Sequence, residues 1–422
     1  MKKKKPNREG WGMYIFLVFF SQQHSHSSSL FKRTNSTHNI LTKLQFTIFI
    51  CICALLIFVT LLLFTLSFFE PDNSLTTPYS HPTLKPYARA LQRLGTLYMQ
   101  GTAAMNNLVL CHVPEHVTTR QFKVFLRAFH TSGLLSDSDL LFLFDSLSTL
   151  DSFNSVILLE NNLFLKVVHR YETELCKGNT HFNFTSSINV TRVKKSKKKV
   201  MDRREPIWGG GIKSRLTRVM SYGSVVGFDV GELDPENSLS GLMGQVPMSL
   251  RRWASYPMIL GRVRRHYEHV MLVDVQKVLL LGDPLGRVKT LSPDSVFLSS
   301  THEKTINPAV IMGGMRGIRR LSVTMLMEIV RATTTQRHNY KTKILVTESS
   351  LLKRLATNVF TRRSIRIVVT SIMEASSLGG STIANQTIVW REYYDTDIDS
   401  VVMKYICSFS IDSAVYMYIL VK

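Results

Sequence analysis

The chain has 422 residues, of which 45% are hydrophobic and 19% are charged. This share of apolar residues is sufficient for a large buried core and excludes a chain that is disordered throughout. The formal net charge of +22 raises nucleic acid as a partner. Most of this charge lies in residues 1–45 and 192–204, and no aromatic side chains alternate with the lysines of 192–204 as a base-stacking platform requires. We therefore expect no nucleic-acid partner.

The first element predicted is a transmembrane helix over residues 44–69, which follow a basic tail (residues 1–43) and contain no charged residue. A bilayer core needs about 20 apolar helical residues, and this segment is too long and begins too late for a cleaved signal peptide. Basic residues precede it, and Glu70 and Asp72 follow it. The positive-inside rule then predicts a single-pass type II protein with a lumenal C-terminus, in the Golgi or another endomembrane.

Residues 70–104 are predicted to form a stem and a leading helix. The stem has four prolines between Pro71 and Pro86, with Ser and Thr among them, a composition typical of an extended linker. Residues 87–100 have the spacing of an amphipathic helix. The folded domain is then expected over residues 105–422.

The folded domain begins with a predicted strand–helix–strand unit. Residues 107–113 and 140–144 are apolar runs of strand length, and the helix between them has a capping box at Thr118 and Gln121. Short apolar strands alternating with helices predict a parallel sheet covered on both faces.

Residues 178–206 interrupt this pattern and are predicted to form a disordered basic insertion. The insertion contains the glycosylation sequons of Asn183 and Asn189, and a third sequon begins at Asn385. A lumenal domain would expose these asparagines to glycosylation.

The pattern resumes in the second half of the domain, where Val270–Val273 is expected to be a central strand with parallel neighbours. Three helices and one more strand are predicted around it: Pro257–Tyr267, Leu321–Arg331, Thr347–Leu355 and Ile365–Val369.

The candidate site is the end of this central strand. The strand leads directly into Asp274, and Asp283 follows beside Pro284. Ligands of open α/β sheets bind at the carboxyl ends of the strands, where a carboxylate can hold a divalent cation that neutralises a diphosphate leaving group. Asp274 is therefore the candidate catalytic and metal-binding residue, with Mn²⁺ or Mg²⁺ as the expected cofactor. Arg316 is the phosphate candidate, because Gly313 and Gly314 would allow the backbone to approach a ligand beside it.

Four stretches of this sequence resemble the motifs of A-type glycosyltransferases in order and spacing across residues 105–370. They are Asp274-Val-Gln276, Asp283-Pro284, Asn307 to Gly314, and Thr347-Glu348-Ser349. The chain is also similar to a group of plant type II membrane proteins, through Ser249-Leu-Arg-Arg-Trp-Ala and Gly313-Gly-Met-Arg-Gly-Ile-Arg-Arg-Leu.

The resemblance implies a Rossmann-like, mostly parallel sheet domain of the glycosyltransferase A type. It also implies a nucleotide-sugar donor, a glycan acceptor, and donor contacts from Asp283, Asn307, Gly313, Gly314 and Arg316.

The sequence departs from the transferase pattern at two positions. Gln276 stands where a second metal-binding carboxylate is expected, and an amide can coordinate a cation but brings no charge. Thr347-Glu348 replaces an Asp-Gln pair. Two functions therefore stay open: a Golgi transferase that moves a sugar from a nucleotide sugar to a glycan or glycoprotein, and a catalytically inactive scaffold or glycan-binding membrane protein.

Overall fold

The computed structural model describes residues 50–59, 89–91, 94–176, 205–208, 221–234, 236, 241, 246–300, 305–338, 346–371, 386–391, 397–408 and 415–416. The chain divides into two compact units, Met1–Thr83 and Leu84–Lys422. In the first unit, the described residues 50–59 are helical. Within the described ranges, no helix has both the length and the apolar character needed to cross a membrane. The remainder of the predicted transmembrane segment 44–69, the proline-rich stem 70–86 and most of the insertion 178–206 lie outside the described residues.

The second unit is built on a mixed sheet of nine strands in the order β1-β2-β5-β4-β3-β6-β9-β8-β10, and a small antiparallel sheet pairs β11 with β7. The strands in chain order are β1 Arg89–Leu91, β2 Leu94–Met99, β3 Asn107–Val113, β4 Ser138–Phe144, β5 Val225–Asp229, β6 His269–Asp274, β7 Val278–Leu280, β8 Ser295–Ser300, β9 Ile306–Gly314, β10 Arg366–Ser371 and β11 Ile388–Trp390.

The large sheet is mostly parallel in direction. Strands β5, β4, β3 and β6 form a parallel block, and β8 and β10 point the same way as that block. Strands β2 and β9 run against their neighbours. This architecture agrees with the predicted α/β class and its mostly parallel sheet.

Helices cover both faces of the large sheet. They are α1 Thr119–Thr131, α2 Leu147–Cys176, α3 Val230–Leu233, α4 Met248–Arg262, α5 Met315–His338, α6 Glu348–Thr357, α7 Val359–Ser364 and α8 Ile398–Ile406. Side chains alternate between the two faces along each strand. On β3, Val109 and Cys111 pack with α1 and α2, whereas Leu108 and Leu110 pack with α4, α5 and α6.

The structure corrects three predicted elements. The leading helix over residues 87–100 is instead the β1–β2 hairpin, because β2 pairs with β5 at the side of the sheet and tertiary pairing outweighs a weak helical periodicity. The helix predicted over Pro257–Tyr267 is α4, with Pro257 in its interior rather than at its first turn. Strand β6 is central as predicted, but only β3 beside it is parallel, since β9 is antiparallel.

The direction of β9 decides which residues share an edge of the sheet. The carboxyl ends of β3, β4 and β6 lie together at one edge, which we call the carboxyl edge. In the β6–β9 register, Val273 pairs with Val310 and His269 pairs with Gly314. The start of β9 therefore lies at the carboxyl edge, and its end lies at the opposite, amino edge.

Candidate functional site

Asp274 ends β6 in a buried position at the carboxyl edge. One carboxylate oxygen, Oδ1, accepts a hydrogen bond of 3.0 Å from the backbone N–H of Gln276. The other, Oδ2, accepts a hydrogen bond of 3.1 Å from Nη1 of Arg252. The side chain of Asp274 is 8% exposed and that of Arg252 is 4% exposed. Both oxygens of the predicted metal-binding residue are thus engaged within the protein.

Arg252, on α4, joins three segments at this edge. Its Nε donates to Glu348 at 3.1 Å, and its Nη2 donates to both carboxylate oxygens of Glu348 at 2.8 Å. Nη2 also donates to the carbonyl oxygen of Pro308 at 3.3 Å, and the indole N–H of Trp253 donates to Glu348. Arg252 therefore holds the end of β6, the start of β9 and the start of α6 together.

The electrostatics of this cluster favour a permanently charged guanidinium. Burial lowers the pKa of Arg252, but the charges of Glu348 and Asp274 outweigh burial, so the pKa lies above its usual value. Burial likewise raises the pKa of the neighbouring Tyr256 phenol. A buried arginine of this kind is stable because its hydrogen bonds to carboxylates offset the loss of hydration.

A second hydrogen-bonded pair of polar side chains lies at the same edge. His112 on β3 is the register partner of Asp274, and its Nε2 lies 2.7 Å from Oδ1 of Asp145, the residue that follows β4. Nearby on the surface, Nε2 of His116 lies 2.6 Å from Oε1 of Gln276. The amide at position 276 is thus engaged by a histidine.

The donor set does not fit a divalent cation bound at Asp274 as predicted. A cation there would approach the Arg252 guanidinium, which occupies the same carboxylate, and like charges repel. Among the residues that the structure describes, no group of three or more His, Cys, Asp or Glu side chains is arranged to hold a metal ion.

Asp283 does not lie beside Asp274. Its Oδ2 accepts a hydrogen bond of 3.1 Å from Lys289, which also donates to Asp137 at 2.8 Å. Asp137 in turn accepts a hydrogen bond from Asn107, the first residue of β3, so this group lies at the amino edge. The six residues of β6 extend over five steps, roughly 16 Å, between the two edges. The structure therefore does not bring Asp283 together with Asp274, and its donor contact stays a prediction.

Gly313, Gly314 and Arg316 also lie at the amino edge, so the structure does not bring these predicted donor contacts together with Asp274. A Cβ on Gly313 would lie 2.3 Å from the carbonyl oxygen of Ser295, and one on Gly314 would lie 2.3 Å from that of Pro293. The glycines allow two chain segments to pack closely rather than to cradle a phosphate. Arg316 forms an ion pair of 3.1 Å with Asp294.

Asn307 is the one predicted donor contact that the structure places at the carboxyl edge. It is 8% exposed, and its Oδ1 accepts a hydrogen bond of 2.9 Å from the backbone N–H of Ala309. It precedes Pro308, whose carbonyl contacts Arg252. The sequons of Asn183, Asn189 and Asn385 begin outside the described residues.

The sequence reasoning missed His112, Asp145 and the role of Arg252. His112 and Asp145 follow the same signal that identified Asp274, namely a polar residue at the end of an apolar strand. Arg252 is one of two adjacent arginines, and charged side chains on a helix are usually exposed to solvent. Arg252 is buried because α4 packs against the sheet, and that contact cannot be inferred from the local sequence.

Comparison with known proteins gives one family and two similar structures. The family model described as "Domain of unknown function (DUF7780)" matches residues 88–373, more than half of the chain. None of the curated proteins compared with the chain matches it. The glycosyltransferase GlyE of Streptococcus pneumoniae TIGR4 is similar at a TM-score of 0.32 and 12% identity, over 73% of this chain and 64% of that chain. Its apo form gives 0.31 and 10% over the same shares, so the chain spans less than two thirds of either structure.

Proposed function

The chain belongs to the family of the domain of unknown function DUF7780, and we propose that its second unit is a glycosyltransferase-like domain that does not carry out metal-dependent sugar transfer. The observation that carries this proposal is that Arg252 binds Asp274 and Glu348 at once. The two carboxylates at the positions of the transferase motifs then stabilise the fold instead of holding a ligand.

Burial and charge together support this interpretation. A donor site for a nucleotide diphosphate needs groups that a ligand can reach, whereas Asp274, Glu348 and Arg252 are each less than a tenth exposed. A cation and its ligand bound to Asp274 and Glu348 would displace the Arg252 guanidinium from both carboxylates. The arginine would then be buried without its partners, which typically costs about 3–5 kcal/mol. We accordingly propose a membrane-anchored scaffold or glycan-binding protein of the Golgi or another endomembrane.

Titration calorimetry on the purified full chain in detergent tests this proposal. We expect Mn²⁺ not to bind at this edge and not to change the binding of UDP-sugars or GDP-sugars. Asp283→Asn, which alters a carboxylate at the amino edge, is the matched control for Asp274→Asn. The proposal fails if donor binding requires Mn²⁺ and is lost in Asp274→Asn but kept in Asp283→Asn.

A second candidate function, metal-free sugar transfer, is favoured by a different observation. His112, which is 3% exposed, is hydrogen-bonded to the part-buried Asp145 at the same edge as Asp274. An imidazole oriented by a carboxylate is a common general base, and this function requires the edge to open so that a ligand reaches His112. The test is sugar transfer to a glycan acceptor in excess EDTA. If the native chain binds a nucleotide sugar and transfers it under these conditions, and His112→Gln does not transfer it, the protein is a metal-free transferase and not a scaffold.

The membrane topology is a separate part of the proposal. The uncharged segment 44–69 and the sequons of Asn183, Asn189 and Asn385 support a type II protein with a lumenal second unit. Glycosidase treatment of the expressed chain should increase its mobility on a gel, and a triple Asn→Gln variant should show no shift. Protease cleavage of the C-terminus from the cytosolic side of intact vesicles would show that the orientation is opposite to the one proposed.

A further inference from the structure

One surface of the second unit combines exposed apolar side chains with arginines. Within the described part of this unit, six of the eight large apolar side chains that are exposed lie on α5, α7 and β10. We call the surface formed by α5, α7 and the end of α4 the arginine–apolar face. Its exposed apolar members are Val323, Met327, Val330, Val359 and Phe360. Exposed arginines accompany them at positions 264, 265, 316, 320, 362 and 363.

The elements of this face adjoin one another. Nη1 of Arg320, on the first turns of α5, donates a hydrogen bond of 2.8 Å to the carbonyl oxygen of Ser364 at the end of α7. Val323 and Met327 follow Arg320 at spacings of three and seven residues, and so lie on the same side of the helix. Phe360 is one turn before Ser364 and is 77% exposed. The apolar side chains of α5 and α7 therefore flank a common arginine contact.

Positive charge crowds on this face. Partial burial and the neighbouring charges of Arg264 and Arg320 lower the pKa of Arg319, so Arg264, just after α4, lies near the arginines of α5. The acidic groups nearby are already shared: Asp294 pairs with Arg316 and Arg320. Glu328 on α5 likewise pairs with Arg331 on α5 and with Arg354 on α6. An anionic partner would relieve the repulsion among the arginines.

We propose that the arginine–apolar face rests on the surface of a phospholipid bilayer. Lipid phosphates match the arginines, since the guanidinium binds phosphate with two hydrogen bonds. Exposed apolar side chains bordered by basic ones are typical of surfaces that enter the headgroup region. This contact rests on the proposed attachment of the chain to a membrane through residues 44–69. A soluble polyanion would match the charge but would leave the adjacent Val359 and Phe360 in water.

Cross-linking of the full chain in lipid nanodiscs tests this contact. A photoactivatable phospholipid is included in nanodiscs of phosphatidylcholine, alone or with phosphatidylserine, and the cross-linked peptides are mapped by mass spectrometry. We expect cross-links in peptides that contain residues 323–330 and 359–363, with a higher yield when phosphatidylserine is present. Peptides around Leu159, an exposed apolar residue on α2, should not cross-link.

Two pairs of matched variants separate a lipid contact from a structural effect. Phe360→Ser and Arg363→Glu should each lower the cross-linking yield at 359–363 roughly tenfold. Leu159→Ser and Arg170→Glu, exposed positions on α2, should leave this yield unchanged, and thermal unfolding should be similar for all four variants. Cross-links confined to residues 44–69 would overturn the proposal. Absent lipid cross-links together with tight binding of dextran sulfate would assign the face to a soluble polyanion instead.

Discussion

Arg252→Met is the perturbation that most directly probes the carboxyl edge. Methionine has similar length but cannot donate hydrogen bonds, so Asp274 and Glu348 would remain buried without a counter-charge. Removing one partner of a buried ion pair typically costs about 3–5 kcal/mol. Because 1 kcal/mol shifts the midpoint of a unit of a few hundred residues by about 2–4 °C, we expect the unfolding temperature to fall by about 10 °C.

Thermal unfolding of the full chain in detergent, followed by circular dichroism, measures this effect. Arg316→Met is the matched control, because Arg316 forms an exposed ion pair with Asp294 and should cost less than about 1 kcal/mol. Adding Glu348→Gln to Arg252→Met removes one stranded charge and should restore part of the lost stability, which a double-mutant cycle quantifies. If Arg252→Met lowers the midpoint no more than Arg316→Met does, the cluster is not a buried structural unit, and the proposed function loses its support.

Three further predictions follow from other parts of the fold. Burial raises the pKa of Asp139 from 3.8 to about 6, so its contribution to stability is complete below pH 3.8 and is lost as pH rises through 6. The free energy of unfolding of the native chain should therefore fall by about 3 kcal/mol between pH 4 and 7 through this group, and Asp139→Asn should abolish that fall. Burial lowers the pKa of His130 from 6.5 to about 3, so its contribution to stability is present above pH 6.5 and is lost as pH falls towards 3. Over that range the native chain should lose up to about 5 kcal/mol of unfolding free energy through this group, and His130→Phe should not. Equal acid sensitivity of the two proteins would contradict this. Gly314→Ala places a Cβ 2.3 Å from the carbonyl oxygen of Pro293 and should lower the free energy of unfolding by about 3 kcal/mol. The control Gly261→Ala has nothing within 4 Å of the added Cβ, and its free energy of unfolding in urea should stay within about 1 kcal/mol of that of the native chain.

The elements that the sequence predicted well are those in which a local pattern and tertiary packing agree. Strand β3 has the predicted bounds Asn107–Val113, and α1 begins at the predicted capping box of Thr118 and Gln121. The β1–β2 hairpin was predicted as a helix because its strands are short and only partly buried. Pairing with β5 fixes its conformation, and that partner lies about 130 residues further along the chain.

The site could be predicted only in part, because the sequence does not reveal the direction of β9. Asp274 was located correctly at a strand end, and Asn307 lies at the same edge. Gly314, seven residues after Asn307, was assigned to the same site, but an extended strand of that length crosses the whole sheet. A motif that is continuous in sequence is therefore divided between two opposite edges of the fold.

The two departures from the transferase pattern can be understood together through the contacts of this edge. Gln276 brings no charge and is engaged by His116, while Glu348 supplies a carboxylate that Arg252 binds with three hydrogen bonds. An edge that had simply lost its metal would leave Asp274 buried without a counter-charge, at a cost of several kcal/mol. Here the guanidinium provides that charge from within the protein, and Glu348 in turn fixes the guanidinium. Replacing Gln276 alone with Asp would therefore add a carboxylate beside His116 without releasing Asp274 from Arg252.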